Sequence, residues 1–235
     1  MLREPLLASS EGARLDGVLD LPGRGRWPCV IAAHGLFSTK ASEKYLSLAA
    51  HLTEAGFACA RFDFRGCGQS GGTIAETTVA GRIADLKAVL TRLQEHEATN
   101  GQFFLVGSSL GGYVALFVAE ESPQVIATAV WATPAHLRDL TAREEALAAH
   151  GLGLPFFREL ARGTYAEAPA GVARCLIIHG ERDELVPPAH ACVLYTRAKE
   201  PKALEIVPGA DHRLSNPEDR ARAIRLTGAW YKRHL

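Results

Sequence analysis

Short apolar runs alternate with helix-period segments along most of this chain. Runs at 29–33, 57–62, 102–106, 125–131, 174–179 and 203–207 are rich in β-branched residues. Several are almost unbroken in hydrophobicity, as expected of strands covered on both faces. Ahead of them, 2–8 and 14–21 alternate polar with apolar and predict two antiparallel edge strands, turned at Glu11-Gly12. Helices fit the gaps at 42–55, 79–97, 110–121, 188–199 and 217–233. In the second of these Val79, Ile83, Leu86, Leu90 and Leu93 recur every three or four residues, giving one apolar stripe to lay on a sheet. The pattern predicts an α/β fold, a mostly parallel sheet with helices on both faces.

One connection is longer than such a sheet needs. Between the strands at 125–131 and 174–179, a segment at about 135–172 begins as a polar helix and continues with Leu152, Leu154, Phe156 and Phe157 around Gly153 and Pro155. It reads as a small lid. Its apolar half either lines a substrate pocket, with Leu154, Phe156 and Phe157 as candidate contacts, or docks the excursion onto the domain.

Length and composition narrow the class. The 235 residues suffice for one domain, 1–235, whereas two halves would each be poorly supplied with core. With 26 basic and 26 acidic side chains scattered along helices, no basic stripe for nucleic acid is indicated. No apolar run approaches the roughly 18 to 20 residues of a membrane span. The N-terminal residues are interrupted by Arg3, Glu4 and Pro5 and lack a secretory signal's apolar stretch, so a cytoplasmic location is expected. The five cysteines are odd in number and unpaired in spacing, which suggests neither a disulfide framework nor a zinc site. Cys67, in a loop, is the one whose reactivity is worth testing.

The candidate chemistry begins at residues 107–111, Gly-Ser-Ser-Leu-Gly, where the run 103–106 hands over to a helix. A serine on such a sharp turn is pushed out of the sheet, and the residues two positions away must be small. Ser109 places Gly107 and Gly111 there, whereas Ser108 would place Val106 and Leu110, so the register selects Ser109 as nucleophile. A serine needs a base, and the base needs a third group to orient it. The strand at 174–179 ends in Gly180-Glu181-Arg182-Asp183, and Asp183 is the candidate acid. The last strand ends in Pro208-Gly209-Ala210-Asp211-His212, and His212 is the candidate base. An acyl-transfer oxyanion needs backbone donors. Leu110 N–H follows the nucleophile at a helix N-terminus, and the second donor is expected from the loop after the strand at 29–33, from Leu36 or, one residue on, Phe37. Phe37 is also a candidate substrate contact. His34 in the same loop reads as a brace.

Ser109, Asp183 and His212 occur in the chain order of the α/β-hydrolases, and HGLFSTK, DFRGCGQSGG, GSSLGGY, HGERDELVP and GADH together make the chain resemble that family over nearly its whole length. Compact esterases of the feruloyl-esterase-like, monoacylglycerol-lipase-like and acyl-thioesterase-like kinds are the nearest in pattern. The resemblance implies an eight-stranded, mostly parallel sheet, no metal or organic cofactor, and hydrolysis of a small ester or thioester through an acyl-serine. It implies a structural role for the loop at 63–72. A carboxylesterase is the leading expectation, with a thioesterase, perhydrolase or carbon–carbon bond hydrolase open on the same three residues. A serine peptidase ranks below these. From another class, a ligand receptor retaining the triad also stays open.

Overall fold

The computed structural model describes residues 2–235, without the side chains of Asp139, Thr141 and Ala142. Eight strands form one sheet: β1 (Leu2–Ser10), β2 (Ala13–Leu21), β3 (Trp27–Ala33), β4 (Ala58–Phe62), β5 (Thr99–Ser108), β6 (Val125–Trp131), β7 (Cys175–Gly180) and β8 (Lys202–Val207). Their order is β1-β2-β4-β3-β5-β6-β7-β8. β1 and β2 join antiparallel, and β2 runs antiparallel to β4. From β4 to the β8 edge all pairs are parallel. This is the α/β-hydrolase architecture expected from the motifs.

The strands alternate their side chains between two covered faces. Ile31, Leu105 and Ile177 point into a core completed by α2 (Val79–Gln94), α3 (Leu110–Glu121) and α6 (Ala189–Arg197). Their neighbours Val30, Phe104 and Ile178 point into a second core under α1 (Glu43–Glu54) and α7 (Pro217–His234). The near-continuous hydrophobicity of these runs is thus the mark of two buried faces rather than one.

β5 is longer than the apolar run 102–106 suggests. Asn100 and Gly101 have turn composition and are exposed, yet a bulge opposite the stretch between Trp27 and Cys29 lets Thr99 pair with Trp27 and extends the ladder. α2 stops at Gln94 rather than running on to 97, where the Thr99 hydroxyl donates to the carbonyl oxygens of Leu93 and His96.

The sheet order also places the site. From β3 the chain passes to β4 on one side and then returns to β5 on the other. The crevice at the carboxyl ends of β3 and β5 is therefore the topological switch point, where ligands bind in open α/β sheets. Ala33 pairs with Gly107 there, which sets the loop after β3 directly beside Ser109.

The excursion between β6 and β7 contains a 3-10 turn (Arg138–Arg143), α4 (Glu144–Ala149) and α5 (Leu154–Arg162). Its apolar residues divide in a way the sequence pattern does not reveal. Leu137, Leu140 and Leu147 line the cavity above Ser109. Phe156, Phe157 and Leu160 are buried in the core shared with α2 and α3, while Leu154 is 57% exposed. The candidate contacts Leu154, Phe156 and Phe157 are not among the residues that line this cavity, and the two rings dock the excursion. Glu159 completes this docking by accepting the free N–H groups of Val79 and Ala80 at the start of α2, at 2.5 and 3.0 Å.

Candidate active site

Ser109 joins β5 to α3 with φ 55° and ψ −126°, a conformation that costs a non-glycine residue energy. The turn is closed from both sides, by Ser109 N–H donating to Trp131 O at 2.8 Å and by Tyr113 N–H donating to Ser109 O at 3.0 Å. Steric demand at the flanking positions is severe. A Cβ added to Gly107 would lie 2.4 Å from Gly111 O, and one added to Gly111 would lie 2.1 Å from Ala33 O. Both clashes are with backbone, which has no room to retreat. Gly111→Ala is expected to destabilise the fold by about 3 kcal/mol or more, read as a fall in the denaturant midpoint; an unchanged midpoint would show that the elbow is more plastic than its packing implies.

The half-exposed Ser109 faces a cavity of about 840 Å3 that it shares with His212, Leu36, Phe37 and Leu110. The Ser109 hydroxyl makes no hydrogen bond to another described residue. His212 is held from below, its Nδ1–H directed at Asp183 Oδ2 (2.8 Å) and Oδ1 (2.9 Å). Asp183 is itself buried, and it accepts further hydrogen bonds from the Leu185 and Val186 N–H groups at 3.0 and 2.7 Å. His179, at the end of β7, adds a second imidazole. Its Nε2 lies 3.1 Å from Asp183 Oδ2 and 2.8 Å from Val186 O. Burial alone would raise the Asp183 carboxyl, but the bonds from His179, His212 and Val186 outweigh it and hold the group well below the usual carboxylate range. An ionised Asp183 keeps the His212 proton on Nδ1 and leaves Nε2 free to act as a base.

The two loops carrying this pair brace one another. Glu181 accepts Gly209 N–H at 2.8 Å, Arg182 N–H donates to Ala210 O at 2.9 Å, and Glu184 accepts His212 N–H at 3.4 Å. His179 and these glutamates carry no signal in the sequence. His179 looks like any residue at a strand end, and the glutamates look like a solvated turn.

On the opposite wall, the loop 34–42 is fastened at both ends. His34 is buried, with Nδ1–H donating to Gly35 O (2.8 Å) and Nε2 accepting Phe64 N–H (3.1 Å). The fully buried Arg82 donates to the carbonyl oxygens of His34 and Gly35, at 3.3 and 3.5 Å, and lies over the Phe64 ring. At the far end Lys40 pairs with Asp63 at 2.5 Å and Asp16 at 2.9 Å. This explains the fold's need for the 63–72 loop: Asp63 anchors the wall that carries Leu36 and Phe37. The N–H groups of Leu36 and Phe37 meet no protein acceptor among the described residues, and Leu110, as the first residue of α3, has no partner one turn earlier. Phe37 has φ 55° and its ring, 43% exposed, rests against His150 of the excursion.

Burial, reinforced by the nearby Arg82 charge, pushes the His34 imidazole down to about 3. Folded His34 is therefore neutral across a range in which an unfolded histidine, near 6.5, takes up a proton. The sign follows: its contribution is fully present above about pH 6.5 and is lost as the pH falls toward 3. In that window it should steepen the loss of stability by about 1.4 kcal/mol per pH unit. Unfolding free energies between pH 7 and 4 should show a slope reduced by about one proton in His34→Gln; equal slopes would rule out this assignment.

Cys67 differs from its sequence reading. Although in a loop, it is 7% exposed, and burial raises its thiol despite Arg82 nearby. Of the five free cysteines only Cys192 is exposed.

The family described as "Serine aminopeptidase, S33" matches residues 27–161, which includes the loop after β3, the Ser109 elbow and most of the excursion. The uncharacterized protein YfhR of Escherichia coli K12 is 29% identical over 184 residues, 78% of this chain and 62% of YfhR, so the chain spans less than two thirds of that relative. The rat mitochondrial palmitoyl-protein thioesterase ABHD10 is 26% identical over 220 residues, covering 83% of this chain and 72% of that protein. Among solved structures, Est1E from Butyrivibrio proteoclasticus with bound ferulic acid superposes with a TM-score of 0.84 at 19% identity, over 97% of this chain and 98% of its own. No helix among the described residues is long and apolar enough to cross a membrane. With its matched family region, its sheet and its elbow in agreement, the chain belongs to the serine aminopeptidase S33 family and is an α/β-hydrolase.

Proposed function

We propose that the protein is a serine esterase that cleaves small to medium acyl or aryl carboxylic esters. In this reading His212 Nε2 takes the Ser109 proton as the hydroxyl attacks the ester carbonyl, and Asp183 stabilises the imidazolium. Leu110 N–H and Leu36 N–H, with Phe37 as the neighbouring alternative, stabilise the oxyanion. Collapse of the tetrahedral intermediate expels the alcohol, which takes the proton from His212. A water molecule, activated by the same imidazole, then releases the acid and restores Ser109. The observation that carries the reading is the strained Ser109, its hydroxyl bonded to no other described residue, opening onto the same cavity as an imidazole whose Nδ1 is held by a buried, ionised carboxylate.

Two observations bear on the bond cleaved. An aminopeptidase must hold a substrate ammonium, yet among the described residues the one acidic side chain lining the cavity is Glu43, and it is paired with Arg220 at 2.6 Å. That favours an ester over a peptide. The similarity to ABHD10, named a palmitoyl-protein thioesterase, supports an acyl thioester as the second reading. The five free cysteines suit a reducing compartment such as the cytoplasm.

The test is intact mass after a fluorophosphonate probe, beside turnover of p-nitrophenyl esters of two to twelve carbons and of thioesters of matched chain length. One adduct with ester turnover favours the esterase, and faster thioester cleavage favours the second reading. No adduct on folded protein would replace both with a binding protein, and ligands would then be sought by thermal shift.

A further inference from the structure

The chain as a whole is neutral, with 26 basic and 26 acidic residues, but its cavity is not. Among the described residues Lys44, Arg143, Arg213 and Arg220 line it against the single acid Glu43. Glu43 is spent on Arg220, which leaves the positive charges of Lys44, Arg213 and Arg143 without a carboxylate in salt-bridge contact among the described residues.

Lys44 is the most telling of these. It is the second residue of α1, half-buried in the cavity wall next to the elbow, and its ammonium donates to the Ser108 hydroxyl at 2.9 Å. An ammonium has two further donors. Burying such a charge without a counter-ion is costly unless something else pairs with it. Burial does push the Lys44 amine down, to about 8, against the pull of Asp211 and Asp183 and with the push of Arg213 and Arg220. It thus stays mostly protonated at neutral pH. His212 and Arg213, on the loop after β8, line the same cavity as Lys44.

The walls differ in kind. Lys44, Arg213 and Arg220 come from α1, the loop after β8 and α7. The excursion and the loop after β7 contribute Leu137, Leu140, Leu147, Leu185 and Val186, with Arg143 the one cation they add among the described residues. Such a cavity fits an amphiphile. We propose that the Lys44–Arg213 wall is a subsite for an anionic group, so that the substrate is an apolar acyl or aryl ester carrying a carboxylate or a phosphate. The assignment rests on the reading of Ser109 as the reacting group only in calling the ligand a substrate; the anion subsite itself is defined by the cavity. An anion seated there would take charge-assisted hydrogen bonds from Lys44 without disturbing the Asp183–His212 pair beneath.

Three non-hydrolysable ethers of one shape test the inference: 3-butoxybenzoate, 3-butoxyphenyl phosphate and the neutral 3-butoxybenzamide. Their dissociation constants would be measured by calorimetry on the wild type, Arg213→Gln, Lys44→Gln and the double variant. The wild type should bind the better of the two anions about tenfold or more tightly than the amide, and whichever anion is tighter names the group. Anion over amide, taken within one protein, is insensitive to a general loss of affinity. That ratio should fall in each single variant and approach one in the double. Arg213 is exposed, so its variant keeps the test open should Lys44→Gln fold poorly. Equal affinity for amide and anions, or a preference that survives the double variant, would overturn the subsite.

Butyryl esters of 3-hydroxybenzoate and 3-hydroxybenzamide, assayed in parallel, separate this inference from the reaction. Anion-selective binding without cleavage of either ester removes the esterase and leaves the subsite. Cleavage of both at equal kcat/KM, with no selectivity in binding, removes the subsite alone.

Discussion

Ser109→Ala is expected to lower kcat/KM for ester hydrolysis by roughly 10^6-fold, the scale on which removing a triad serine acts, and to abolish the fluorophosphonate adduct. The fold should persist. The Ser109 hydroxyl holds no other described residue in place, and the turn rests on its backbone bonds to Trp131 and Tyr113, which alanine keeps. The melting temperature should therefore stay close to that of the wild type. Ser109→Gly carries the contrast further, because glycine adopts φ 55° without the side-chain penalty and should raise stability by about 1 kcal/mol while being equally inactive. A more stable, inactive glycine variant would locate the strain at the nucleophile. Substantial turnover by purified Ser109→Ala would sink the mechanism.

Asp183→Asn carries the second large effect, a loss of about 10^4-fold in kcat with the cavity intact. The carboxylate accepts from four donors: His212 Nδ1–H, His179 Nε2–H and the N–H groups of Leu185 and Val186. An asparagine supplies one oxygen, and its amide N–H groups then face donors. Relief comes by moving the His212 proton to Nε2, where the imidazole can no longer accept from Ser109. The structural cost appears separately. The Asp183 carboxyl is held below its ordinary range, so its contribution to stability is present above about pH 4 and is lost as the pH falls through its depressed value. Unfolding free energies at pH 3 to 7 should show a shallower acid slope in Asp183→Asn. A variant with full kcat would remove Asp183 from the mechanism.

His34 belongs to a different part of the same design. It, Arg82 and the Lys40–Asp63 pair spend buried charge and hydrogen bonds on a loop of a few residues. Donors aimed at an oxyanion act by being in place before the charge develops. Fastening the loop at both ends would give the proposed Leu36 or Phe37 donor that rigidity, which offers a physical sense for the DFRGCGQSGG stretch beside HGLFSTK.

Local physics made much of this protein readable from its residues alone. A strand covered on two faces must be apolar at every position, so the runs at 29–33, 125–131 and 174–179 announce β3, β6 and β7 and with them the parallel sheet. The elbow is legible too, because its glycine spacing selects Ser109 over Ser108, although only the crowding at Gly107 is set within the turn; that at Gly111 comes from Ala33 and His34 at the end of β3. Asp183 and His212 are legible because each sits just past a strand end, and strands of one parallel sheet deliver those ends to one edge. Tertiary packing alone decided the rest. Leu147 and Phe157 are both apolar residues of one excursion, yet one faces the cavity and the other the core, because that depends on where α5 docks through Glu159. His179 meets Asp183, and Lys44 meets Ser108, across contacts that no periodicity encodes. Periodicity records which side of its own element a residue lies on; the partner it finds there depends on how distant segments fold together.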